Sequence, residues 1–357
     1  LKYLNVLLVF VPIAILGEFL HWNPVVVFFT SALGVIPLAG LLGEATEELA
    51  VHTGPRVGGL LNATLGNAAE LIITIFAIRA GLLELVKASI TGSILGNLLL
   101  ILGLSLLLGG LRHGIQRFDR AHASLSATTM SLSIIALAIP AVFSHAIETK
   151  SHAGVEYLSL GVATVMILIY ILMLVYSFWG RPGPRGAPPQ PKAIHEATHG
   201  AARWSMRFSL GVLAGSTIGI AWLSEILVGA VEPVMTRLGV TEFFLGVIAI
   251  PLVGNVAEHV VGVETAYKNK MDLSLGISLG SSMQIAMFVA PVLVFLSLFM
   301  GHPMDLVFNP FELASLVAAV LIATLISLDG ESNWLEGAQL LAVYVIVAIA
   351  FFFLPVV

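Results

Sequence analysis

Gly66-Asn67-Ala68-Ala69-Glu70 returns 188 positions later as Gly254-Asn255-Val256-Ala257-Glu258. The same ungapped shift pairs Glu84 with Asp272, and Gly92-Ser93 with Gly280-Ser281. Upstream, Thr46-Glu47-Glu48-Leu49 echoes Ser224-Glu225-Ile226-Leu227 once an insertion of ten residues is allowed. In apolar sequence Leu, Val and Ile would match by composition alone, but Asn and Glu would not. The chain therefore reads as two related halves.

Around these motifs the sequence is strongly apolar. Of its 357 residues 58% are hydrophobic and 10% charged, where a soluble domain carries roughly 25% charged side chains. A spanning helix needs about 20 apolar residues, so the length accommodates roughly ten or eleven spans. Apolar stretches run over residues 3–21, 24–50, 56–80, 84–110, 121–145, 154–179, 207–233, 240–266, 271–300, 311–329 and 334–355. The first carries no small-residue cleavage signature and reads as a retained span. Five spans in each half is an odd number, which reverses the second half in the membrane. Inverted repeats of this kind build secondary transporters, with the site near the midplane where the repeats meet. The expected fold is an all-α polytopic membrane protein of about 11 transmembrane helices. It comprises an N-terminal helix (1–23), a five-helix repeat (24–179), a Pro-rich linker (180–206) and a second, inverted five-helix repeat (207–357).

With eleven spans, twelve loop Lys and Arg residues fall on the side of the N-terminus and four (Arg79, Lys87, Lys150 and Arg237) on the other. The positive-inside rule then places the N-terminus and linker in the cytoplasm. A prokaryotic source would make this a multi-pass protein of the cell membrane. There is no cysteine, which excludes disulfides, thiolate metal sites and cysteine nucleophiles. A net charge of −5 with no basic stripe argues against nucleic acid as a partner. No Gly-x-x-x-x-Gly-Lys-Ser/Thr stretch is present for a nucleotide.

Carboxylates deep in apolar runs are costly and mark function. Glu70 and Glu258 lie well inside theirs. Asn67 and Glu70 are three residues apart and share a helix face, as do Asn255 and Glu258. Gly66, Gly254 and nearby Pro251 weaken the helix just before each pair, which is tolerated at membrane depth only around a cavity. In the following spans Ser89, Ser93 and Asn97 form one polar stripe, and Ser278, Ser281 and Gln284 form another. Such stripes either complete an ion cage or bind helices together through small residues and hydrogen bonds. The set of donors is nearly all oxygen, which favours a hard cation such as Ca²⁺ over Zn²⁺ or Cu²⁺. Two carboxylates balance one divalent ion, and a pair of Na⁺ ions would balance them equally. Close carboxylates also raise each other's proton affinity, so protons can replace the metal.

At these residues the chain resembles the calcium/proton (cation/proton) exchanger family of the cation/calcium exchanger superfamily. The resemblance rests on the two glutamate motifs, with His259 following Glu258, and on Gly92-Ser93 to Asn97 and Gly280-Ser281 to Gln284. It extends to Asp329-Gly330-Glu331-Ser332-Asn333-Trp334-Leu335-Glu336-Gly337. It implies Ca²⁺ bound by Glu70 and Glu258, with Mn²⁺ or another divalent ion as a substitute, and no resident cofactor. Asn67 and Asn255 would support the carboxylates, while Ser93, Asn97, Ser281 and Gln284 would line the cavity. His259 points to proton coupling, since sodium-coupled relatives usually lack it. Members often carry an acidic central loop, whereas residues 181–207 contain a single acid, Glu196.

Glu47, Glu48 and Glu225, near span ends, are access-path carboxylates or ordinary helix-end charges. Asp329, Glu331 and Glu336 read as loop polarity first and a gate second. The rival functions are Na⁺/Ca²⁺ exchange, a cation channel, and an intramembrane metallohydrolase built on Glu258-His259. No His-Glu-x-x-His supports the last.

Overall fold

The apolar stretches become helices because the sequence punctuates them with start signals. In the computed structural model, which describes residues 2–148, 152–179 and 202–354, Asn23 caps helix Pro24–Leu65 by accepting from Val25 N at 3.0 Å, with Pro24 in the first turn. A proline costs nothing there, because its missing N–H would have no helical partner. Ser205 and Thr241 cap the helices that follow them in the same way. Asn309 and Glu312 form a reciprocal capping box at the start of helix Pro310–Ile326.

Within the described residues each of the eleven expected stretches is helical. Among the described residues eight helices are long and apolar enough to cross a membrane, from Pro24–Gly54 to Trp334–Phe352. Leu4–Phe19 and Pro310–Ile326 are shorter apolar helices, and Val231–Leu238 with Glu242–Gly254 makes a pair bent by 115°. The protein is therefore an all-α, polytopic membrane protein. The stretch expected at 207–233 is shorter than its hydropathy implied. Helix Met206–Gly229 stops at Ala230, and Val231–Leu238 starts anew with Pro233 in its first turn, where proline is tolerated. Gly54, at φ 82° and ψ 172°, separates Pro24–Gly54 from Val57–Arg79, a backbone conformation open essentially to glycine.

The helices pack as two units that each draw on both halves of the sequence. One comprises Leu1–Val86, Pro189–Ala257 and Phe352–Val357. In it helix Met206–Gly229 lies along Pro24–Leu65 and against Ala68–Arg79. The other comprises Lys87–Pro188 and Glu258–Phe351. There Met271–Gln284 packs on Gly96–Ile101 and on Arg120–Glu148. The linker expected at 180–206 lies outside the described residues as far as residue 201.

Within the second unit Gln116–Arg117 pairs antiparallel with Glu331–Ser332. Arg117 Nε reaches Glu331 Oε1 at 2.9 Å. Asn333 Oδ1 accepts from Leu335 N and Glu336 N, and Asn333 N donates to Glu336 Oε2. Gly337 meets Gly103 and Leu107 so closely that a Cβ would lie 2.2 Å from Leu107 N. The Asp329–Gly337 motif thus builds a strand, a helix cap and a helix crossing.

Candidate functional site

Both glutamate motifs break a helix at the same residue. Asn67 has φ −102° and ψ 22° before helix Ala68–Arg79. Asn255 has φ −100° and ψ 12° between Ile250–Gly254 and Val256–Tyr267. This bridge conformation is sparsely populated and common in functional sites. Each break puts its glutamate in the first turn of the new helix, where a negative charge is favoured by the helix dipole.

Glu70 is only 4% exposed. Asn255 Nδ2 donates to Glu70 Oε1 at 2.6 Å, and to Pro251 O at 3.2 Å. The second half's break thus supplies the amide that holds the first half's carboxylate. Gly254 makes room for this: a Cβ there would come within 2.9 Å of Glu70 Cγ. Asn67 is buried in the same unit. A hydrogen bond such as that from Asn255 to Glu70 is roughly twice as strong when the carboxylate is ionised as when both partners are neutral.

In the other unit Glu258 and His259 are half-buried, and His259 Nε2 has no hydrogen-bond partner among the described residues. Ser93, Asn97 and Ser281 are buried and Gln284 is half-buried. Asn97 Nδ2 donates to Ser281 Oγ at 2.9 Å, so the two polar stripes do join helices through a hydrogen bond. Both helices widen into π turns here, Gly96–Ile101, which includes Asn97, and Ile285–Val289, just after Gln284, a feature frequent at functional sites.

The three candidate access-path carboxylates lie in the first unit. Glu48 is buried, with Oε2 accepting from Arg203 N at 2.9 Å and Trp204 N at 3.2 Å. Its Oε1 meets Arg203 Nε at 3.1 Å, and Arg203 also reaches Glu44 at 2.8 Å. Glu225 lies 4.0 Å from Arg79, with both side chains largely exposed. Glu47 is half-exposed.

Sequence reasoning missed three interactions. Arg203 passes for one more linker cation until its partner Glu48 is known. Lys87 reads as a loop charge, but its side chain is buried and donates to Asp305 Oδ1 at 3.2 Å and Val307 O at 3.1 Å, so it does not belong among the solvent-facing basic residues. Glu312 is buried and accepts from Thr91 Oγ1 at 2.9 Å. Asn309-Pro310-Phe311-Glu312 carried a legible cap signal for it.

A membrane fold of packed helices, with repeated helix breaks that each set a carboxylate at the first turn, defines a secondary transporter for cations. The sodium/calcium exchanger protein family model matches residues 23–179 and 208–353. A Ca(2+)/H(+) antiporter of Aphanothece halophytica is 46% identical, with 98% of this chain and 96% of the relative covered. The Ca(2+)/H(+) antiporter ChaA of Bacillus subtilis is 45% identical over 96% of this chain and 97% of its own. The structure of native YfkE superposes with a TM-score of 0.85 at 42% identity, covering 98% of this chain and all of that one. The chain belongs to the sodium/calcium exchanger family, on the branch of these cation/proton exchangers.

Proposed function

We propose that this protein is a secondary active antiporter that exchanges Ca²⁺ for H⁺ across the cell membrane, with its N-terminus in the cytoplasm. The observation that carries the reading is Glu70: a buried carboxylate at a helix break, held at 2.6 Å by the asparagine of the matching break. The Ca(2+)/H(+) antiporters 45–46% identical to this chain support the choice of ions.

Glu70 and Glu258 are the groups for which Ca²⁺ and protons compete. A hard divalent cation takes six to eight oxygens and depends on ligand charge, which the two carboxylates supply. Asn67, Asn255, Ser93, Asn97, Ser281 and Gln284 add neutral oxygens or orient the charged ones, and His259 takes part in proton coupling. Other divalent ions such as Mn²⁺ compete for the same oxygens. Emptied of both metal and protons, the carboxylates would be too costly to carry through a low-dielectric core, so only the loaded or protonated protein reorients. Coupling follows from that restriction and needs no nucleotide.

The test is Ca²⁺ uptake into proteoliposomes, first under a pH gradient (acid inside) and then under a Na⁺ gradient. Uptake driven by the pH gradient alone is expected. Uptake that requires internal Na⁺ and ignores pH would assign sodium exchange, and Ca²⁺ flux without proton movement would assign a channel.

A further inference from the structure

Where the first helix ends, the first unit holds an open, cleft-like cavity of about 470 Å³ lined by none of the candidate ion-site residues. Its walls include Glu18, His21 and Trp22 from the turn after helix Phe10–Phe19, and Pro233 and Arg237 from helix Val231–Leu238. The volume falls within the ~300–1,000 Å³ of small-ligand sites.

The turn has an uncommon residue at its centre. His21 N donates to Glu18 O at 3.1 Å and Trp22 N to Gly17 O at 2.9 Å, the two bonds of a Schellman cap, whose left-handed position is usually glycine. Here His21 takes it, at φ 52°, and sets an imidazole in the cavity wall. Trp22 folds back onto Gly17, where a Cβ would lie 3.1 Å from Trp22 Cε3.

Two opposite charges face this cavity from different elements. Neither Glu18 nor Arg237 belongs to an ion pair among the described residues. Leu16, Phe19, Leu20 and Leu238 are exposed around them, and exposed Trp22 follows the end of an apolar helix, the kind of position at which tryptophan anchors a span to the headgroups.

We propose that this cavity binds the headgroup of phosphatidylethanolamine from the surrounding membrane. Arg237 and His21 take the phosphate, Glu18 takes the primary ammonium, and the acyl chains lie over Leu16, Phe19 and Leu20. A carboxylate and a guanidinium on one cavity match a zwitterion. A glycerol headgroup leaves Glu18 facing an anion with no cation to offset it. A choline headgroup has no N–H to donate to the carboxylate.

The experiment is native mass spectrometry of the full-length protein released from bilayers of equal ethanolamine, choline and glycerol phospholipid. The ethanolamine lipid should be retained about tenfold over either other lipid, the scale of a hydrogen bond to a charged group. Glu18→Gln and Arg237→Gln should each bring retention close to parity, while Glu232→Gln, outside the cavity, should not. His21→Gly relieves the left-handed backbone, so retention should fall while thermal stability holds or rises, which a purely structural turn would not show. Preference for the glycerol lipid, equal retention of all three lipids by the parent protein, or an unchanged preference in both charge variants would overturn the proposal. If a charge variant fails to fold, the parent's lipid preference and His21→Gly still decide.

Discussion

Glu70 and Glu258 occupy matched positions in two copies of one motif, yet they differ in exposure. Glu70 is 4% exposed and gripped by Asn255 at 2.6 Å, whereas Glu258 is half-buried beside His259. The backbone at the two breaks is nearly identical, at φ −102° and −100°. Local sequence therefore fixes where the helix opens and which side chain follows, while the packing partner decides how far the carboxylate is taken out of solvent. The repeat conserves the backbone break, while the two carboxylates differ in how far they are exposed.

The glycines before the two breaks should separate these roles most sharply. Gly254→Ala places a Cβ within 2.9 Å of Glu70 Cγ, so it should displace the carboxylate and lower the exchange rate at least ~10-fold, at an overpacking cost of ~1–3 kcal/mol. Gly66→Ala meets its own turn, at Asn62 O, and should act on thermal stability more than on Ca²⁺ affinity. Measuring both quantities in both variants checks the contrast. Equal loss of Ca²⁺ affinity in the two would remove the asymmetry.

A smaller effect is expected at the helix-end carboxylates. Arg203→Ala leaves Glu48 buried without its guanidinium, which should cost ~1–3 kcal/mol once discounted for the half-exposed arginine. Arg79→Ala breaks a 4.0 Å contact between exposed groups and should cost under ~0.5 kcal/mol. Thermal unfolding in detergent distinguishes them, and equal shifts would mean that burial of Glu48 does not matter. Smallest of all, Ser281→Ala removes the Asn97 hydrogen bond and should cost ~0.6 kcal/mol, the average for such bonds between membrane helices. A Ca²⁺ affinity loss beyond ~10-fold in that variant would make the hydroxyl a direct ligand rather than a helix contact.

Much of this molecule was legible in its sequence because membrane helices declare themselves by length and hydropathy, and because Asn and Glu at one constant offset do not arise from composition. The helix breaks at Asn67 and Asn255 were foreshadowed by Gly66, Gly254 and Pro251. The partners were not legible. That Asn255 serves Glu70, that Arg203 serves Glu48, and that Lys87 turns inward to Asp305 depend on residues 155 to 218 positions apart, and no periodicity encodes them. The π turns were also missed, since a widened turn leaves the hydrophobic pattern almost unchanged. Conversely, the Asp329–Gly337 motif proved to be strand, cap and crossing, with Asp329 accepting from Glu331 N, Glu331 paired with Arg117 and Glu336 accepting from Asn333 N.

The central claim is that the two matched carboxylates are where metal and proton are exchanged. The direct test records Ca²⁺ and proton fluxes together in proteoliposomes bearing the parent protein, Glu70→Gln or Glu258→Gln, with an acid-inside pH gradient. Glutamine keeps the size and one oxygen but removes the charge that holds the cation and the group that carries the proton, and a neutral amide at that depth costs less than an ionised carboxylate. The account predicts coupled fluxes in the parent and none in either variant, with both variants folded and inserted. Coupled exchange near the parental rate in either folded variant would contradict it.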